Sequence, residues 1–143
     1  MNLTCKILHV EDSDDDSFIF QRVLAQLLFE GIYRRVNSVD GAINYLSGQF
    51  EFSDRRLFPL PDVIVMDTAL PGKKHTDELM TWMNERPEFS QLVKVVLTGG
   101  LSPGAQEDWL ARGVAGILEK GLSLADLAVS VETILRKCHK PTP

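Results

Sequence analysis

The run Asp62-Val63-Ile64-Val65-Met66-Asp67-Thr68-Ala69-Leu70-Pro71-Gly72 constrains the fold more than any other stretch of the chain. Valine and isoleucine favour extended backbone, and four successive apolar residues from Val63 to Met66 leave no side for water, so the strand they form is expected to be buried on both faces. Such a strand belongs in a parallel sheet. Asp67 ends it, and the Pro-Gly turn then releases the chain. Open α/β sheets gather their ligands at the carboxyl edge, so Asp67 is the prime candidate for chemistry.

Strand-like and helix-like segments alternate along the rest of the sequence, which predicts a parallel sheet wrapped by helices through right-handed crossovers. Lys6 to Val10 reads as the first strand. Residues 16–30 read as a helix with Phe18, Ala25 and Leu28 facing inward, stopped by Gly31. Residues 33–39 form a more polar second strand near an edge, followed by a helix through Ala42, Tyr45 and Leu46 that Gly48 ends. A long Pro-containing connection spans 49–61 before the strand ending at Asp67. A helix over 76–85 stops ahead of Pro87, and Val93 to Thr98 form the next strand. A helix over 105–112, a short strand from Gly116 to Glu119 and a final helix capped by Ser123 complete the pattern. In that last helix Leu124, Leu127, Ala128, Val131, Ile134 and Leu135 repeat at helical spacing. The expectation is one domain over 1–143, with its core at about 4–138 and no output domain.

Composition excludes several classes. The chain has 143 residues, 44% of them apolar, enough for one sizeable core. Its formal charge of -5 argues against a nonspecific nucleic-acid binder, which needs clustered Lys and Arg to neutralise phosphates. Cys5 and Cys138 are far apart in sequence and make no CxxC pair, and neither a leader pattern nor a membrane-length apolar run is present. A cytoplasmic protein without disulfides is expected.

Glu11 and Asp12 directly follow the first strand, so a parallel sheet brings them to the same edge as Asp67. Three acids in proximity raise one another's proton affinity unless a cation neutralises them. Mg²⁺ suits the set, because it takes oxygen ligands, accepts a few carboxylates, keeps waters and shares its sphere with phosphate. Asp14, Asp15 and Asp16 are read instead as helix-capping acids at a positive helix end. Asp12, Asp14 and Asp16 open like a calcium loop, but Ser17 replaces its turn glycine and Val23 its closing Glu. Thr98 ends the fourth strand, ahead of Gly99 and Gly100, whose missing side chains leave room for a ligand. Its hydroxyl is suited to a phosphoryl oxygen. Lys120 ends the fifth strand and offers a point charge to the same place.

In this order, ILHVED, DVIVMDTALPG, VVLTG and ILEKG resemble the receiver domain of two-component response regulators over nearly the whole chain. The resemblance implies a flavodoxin-like (βα)5 doubly wound parallel sheet in order 2-1-3-4-5. It implies Asp67 as phosphoacceptor, Thr98 as switch hydroxyl and Lys120 as site lysine. Mg²⁺ would be held by Asp12, Asp67 and the backbone carbonyl of Ala69, with Glu11 acting through water. The long segment before the third strand and PEFSQLVKVVLTGG resemble the small single-domain regulators that partner phytochrome-type kinases. The implied partners are a sensor histidine kinase or a histidine phosphotransfer protein and a downstream protein target, without nucleic acid or membrane. A homodimer through the last helices is also expected.

Two residues depart from the family pattern. Ile117 stands where receivers carry Tyr or Phe, and Gly121 replaces the proline after the lysine, so a trans peptide is expected there. They motivate the alternative of a receiver-like protein-binding module that works without phosphorylation. A haloacid-dehalogenase-type phosphatase, mimicked by Asp12-Ser13-Asp14, lacks its second acidic pair, and a dinucleotide enzyme lacks GxGxxG. Lys73, Lys74 and His75 make a basic loop beside the acids. His9 is read as a packed strand residue, His75 and His139 lack zinc-ligand spacing, and Trp82 and Trp109 are read as packing against the sheet.

Overall fold

Short Val- and Ile-rich segments form the five parallel strands: β1 (Lys6–Val10), β2 (Ile32–Val36), β3 (Val63–Asp67), β4 (Val93–Thr98) and β5 (Gly116–Glu119). The helices α1 (Asp14–Gln26), α2 (Val39–Ser47), α3 (Thr76–Asn84), α4 (Pro103–Ala111) and α5 (Leu124–Cys138) alternate with them. This computed structural model describes residues 3–70, 72, 74–100 and 102–138. Pro71, Lys73 and His139, all singled out from the sequence, lie outside the described residues. The sheet order is β2-β1-β3-β4-β5, the flavodoxin-like order expected.

β3 is buried at every position, as its apolar run requires. Alternate residues feed two layers. Ile7, Val63, Val65, Val95 and Leu97 meet α1 and α5 on one face, while Leu8, Val10, Ile64, Met66 and Val96 meet α2 and α3 on the other. The register pairs Val10 with Met66 and Asp67 with Leu97, so the carboxyl ends of β1, β3 and β4 form one rim. No described helix is long and apolar enough to cross a membrane.

Three local expectations need correction. First, α1 runs from Asp14 to Gln26 and buries Phe20, Val23 and Leu24. Phe18 is 60% and Leu28 78% exposed, and Ala25 is also exposed. The helix ends at Leu27, where Leu28 takes φ 55°, its N–H donates to Ala25 O and the Phe29 N–H donates to Leu24 O. That pair of hydrogen bonds closes the helix with a leucine in the left-handed place usually given to glycine. Gly31 has a different task, because a Cβ there would lie 1.9 Å from the Cys5 carbonyl oxygen.

Second, β2 stops at Val36 and α2 begins at Val39, because Ser38 Oγ accepts the Gly41 N–H at 3.0 Å and caps the helix. Third, α4 starts at Pro103 with Ser102 as its cap, a position where proline's missing N–H costs nothing. The connection over 49–61 contains a 3₁₀ turn, Phe50–Ser53, and an aromatic cluster of Tyr45, Phe52 and Phe58.

Candidate functional site

At the rim, the side chains that end β1, β3 and β5 meet. Oxygen atoms of Glu11, Asp12 and Asp67 lie within 4.8 Å of one another, the one such group of potential metal ligands among the described residues. Glu11 and Asp67 are buried and Asp12 is exposed, so the cluster opens to solvent through Asp12. Lys120 Nζ donates to Asp67 Oδ2 at 2.9 Å and to Asp16 Oδ2 at 2.8 Å, with Glu11 Oε1 at 3.5 Å. The Ala69 N–H donates to Asp67 Oδ1 at 2.9 Å, which fixes the carboxylate plane. Thr76, the first residue of α3, donates its hydroxyl to the Asp67 carbonyl and ties that helix to the rim.

Charge is held in place by unequal environments. Burial pushes the Glu11 carboxyl up to about 8, and the neighbouring Asp67 carboxylate adds to the shift. Burial acts in the same sense on Asp67. The adjacent Glu11 carboxyl, the Ala69 N–H and Lys120 outweigh it and hold Asp67 below the usual carboxylate range. Burial disfavours the Lys120 ammonium, yet its bonds to Asp16 and Asp67 raise its proton affinity above that of a free lysine. The site therefore holds a neutral Glu11, an anionic Asp67 and a cationic Lys120 near neutrality.

An orphaned oxygen marks this arrangement as incomplete. Among the described residues, the buried Glu11 Oε2 finds no hydrogen-bond partner. Unmade bonds of this kind are costly, and a hard cation at the trio would satisfy it. Three carboxylates within reach of one centre, with no sulfur or imidazole in the group, fit a hard divalent cation rather than a softer metal.

The loop carrying Asp12 is braced from β2. Arg35 Nε donates to the Glu11 carbonyl at 2.8 Å, and Arg35 Nη1 pairs with Asp14 Oδ1 at 2.7 Å. Ser13 caps α1 by accepting the Asp16 N–H at 3.2 Å. The capping reading fits Asp14 and Asp15 in the first turn, whereas the Asp16 carboxylate joins the site. Sequence reasoning missed both Asp16 and Thr76; the only trace of either is position, on the first turn after a rim strand.

Thr98 is buried at the end of β4 but does not touch the acids. Its hydroxyl lies 3.3 Å from the Gly100 carbonyl, folded back on its own loop. Lys74 Nζ pairs with Asp40 Oδ1 at 2.8 Å and anchors the loop after β3 to α2. His9 is fully buried, hydrogen-bonded through Nδ1 to the Tyr33 hydroxyl at 2.7 Å and packed on Phe20. Its burial, with Arg35 nearby, lowers its pKa to about 3 and keeps it uncharged. Trp82 packs on Phe89, Trp109 is half-buried on α4, and Ile117 sits in the layer beneath it. Gly121 has φ 87°, which suits glycine, and every described peptide is trans.

No family model matches the sequence, and no curated protein matches it. Solved structures do. A response regulator in red light signalling of R. palustris aligns with a TM-score of 0.85 and 21% identity, covering 97% of this chain and 99% of that one. The phosphorylated cyanobacterial phytochrome response regulator RcpA gives 0.77 at 25% identity, over 92% and 91%. The Mn²⁺-bound form of response regulator Rcp1 gives 0.76 at 28% identity, over 91% of both chains. With its sheet order and these neighbours, the fold of this chain is the receiver-domain fold of response regulators.

Proposed function

We propose that the chain is a phosphoacceptor response regulator that receives a phosphoryl group on Asp67. The observation that carries this reading is the ionised, buried Asp67 carboxylate held between Lys120 and the Ala69 N–H, beside an acid pair suited to a divalent cation. An Asp67 oxygen attacks the phosphorus of a phosphohistidine or a small phosphodonor. With phosphohistidine the phosphorus–nitrogen bond breaks and imidazole leaves with its electron pair; with acetyl phosphate the phosphorus–oxygen bond breaks and acetate leaves; either way an acyl phosphate remains on Asp67. Water later attacks the same phosphorus, releasing inorganic phosphate and restoring the carboxylate.

Asp12, Asp67 and the Ala69 carbonyl would hold Mg²⁺, with Glu11 behind them. Bound there, the ion supplies neutralisation of the charge between nucleophile and donor. Lys120 contributes a fixed positive charge to the transferred oxygens. Thr98 leaves Gly100 and turns to the phosphoryl group, shifting the loop that leads into α4. The partner is a sensor histidine kinase of phytochrome type or a histidine phosphotransfer protein, a reading supported by the phytochrome response regulators among the structural neighbours.

Incubation with Mg²⁺ and acetyl phosphate, followed by intact-mass measurement, tests the proposal. Wild type gains one phosphoryl group and Asp67→Asn gains none. A wild type that stays unmodified would favour a phosphorylation-independent binding module, and loss of modification in Asp12→Asn but not Asp67→Asn would revive the phosphatase reading.

A further inference from the structure

Lys120 is shared between two carboxylates at nearly equal distance, Asp16 at 2.8 Å and Asp67 at 2.9 Å. Asp16 stands outside the trio that could hold a cation, at the α1 lip of the site and about a third exposed. In a Ser-x-x-acid start to a helix, the acid ordinarily turns back to the cap residue's own N–H. Here Ser13 accepts the Asp16 N–H, but the Asp16 carboxylate reaches across to Lys120, 104 positions along the chain. The side chain has been recruited from helix capping to the site.

We propose that Asp16 is a positioning residue for Lys120, holding the ammonium toward α1 and limiting how fully it neutralises a phosphoryl group on Asp67. The inference rests on the phosphoryl reading above. A phosphoryl group brings close to two negative charges and competes with Asp16 for the one ammonium. Asp16 also adds its own negative charge beside the acceptor. Both effects weaken retention of the phosphoryl group, so Asp16 acts as a brake on the phosphorylated state. Asp15 supplies a natural control, since it carries the same charge in the same turn and is exposed, while the Lys120 ammonium pairs with Glu11, Asp16 and Asp67.

The test compares wild type, Asp16→Asn, Asp16→Glu and Asp15→Asn in the presence of Mg²⁺. Beryllofluoride, a phosphoryl mimic for carboxylates, is titrated calorimetrically, and phosphorylation by phosphoramidate is followed by intact mass. Asp16→Asn is expected to bind beryllofluoride about three- to tenfold more tightly than wild type, the size of one lost like charge and one freed counter-charge at partial solvent exposure. Asp15→Asn stays within about twofold of wild type, and Asp16→Glu returns toward it. Asp16→Asn leaves Lys120 paired with Asp67, so no buried charge is stranded and the variant should fold. If Asp16→Asn matches Asp15→Asn while wild type binds beryllofluoride and takes up phosphate, the role assigned to Asp16 is wrong and the receiver reading stands. If wild type takes up neither, both fall together.

Discussion

The stability of the cation-free protein should fall as pH rises from about 6.5 to 8, and Glu11 is the cause. Its carboxyl has a pKa of about 8 when folded, against 4.5 for an unperturbed glutamic acid. Between those values the folded protein holds a proton that the unfolded chain releases, so raising the pH favours unfolding. His9 acts in the opposite sense. Folded, it titrates at about 3 against 6.5 in an unperturbed histidine, so the unfolded chain takes up the proton and stability rises with pH across that span. The two slopes oppose each other from 4.5 to 6.5, and from there to about 8 Glu11 sets the slope, with Lys94, lowered from 10.5 by burial, opposing it only toward the alkaline side.

Asp67 is depressed below 3.8 and Lys120 raised above 10.5, so neither contributes inside the window, and the buried cysteines and tyrosines shift upward from values of 9.0 and 10.0. The interval left to Glu11 corresponds to a loss of about 1–2 kcal/mol. Urea unfolding in excess chelator at a series of pH values measures it. Glu11→Gln should flatten the slope, and Mg²⁺ should oppose it by displacing the proton. A wild-type stability that is level or rising across this window, or a fall that survives in Glu11→Gln, would refute the assignment.

Two backbone positions give further tests. Gly31→Ala places a Cβ 1.9 Å from the Cys5 carbonyl and 2.5 Å from the Phe29 ring, and the backbone shift it forces should cost about 3 kcal/mol or more; an unchanged thermal melt would contradict that close approach. Leu28→Gly removes a strained left-handed leucine whose side chain is 78% exposed, so the urea midpoint should correspond to a gain of about 0.5–1 kcal/mol. A loss of similar size would mean that the Leu28 side chain contributes packing.

The strands were legible because two-sided burial leaves a continuous apolar run, and β1, β3, β4 and β5 are found where Val and Ile placed them. Asp67, Glu11 and Asp12 were legible for a related reason: a charge that closes such a run has only the rim to occupy. The inward face of α1 was not. Phe18, Ala25 and Leu28 form one apolar stripe and Phe20, Val23 and Leu24 another, and only docking on the sheet decides between them. Asp16 was hidden among three consecutive acids in a first helical turn, where its local setting matches a cap and its partner is distant in sequence. The boundary between β2 and α2 moved because the Ser38 hydroxyl outcompeted the extended preference of Val39.

α4 has no fully buried residue, whereas α1, α2, α3 and α5 each keep at least four. Little apolar area is surrendered when it lifts away, so its amide hydrogens belong to the fast-exchanging end of the molecule's local openings. The Gly99-Gly100 turn lies just before it, and Trp109 is its half-buried attachment. A protein that docks on this side meets the helix with the least apolar burial to hold it, over a sheet whose strand β3 is buried throughout.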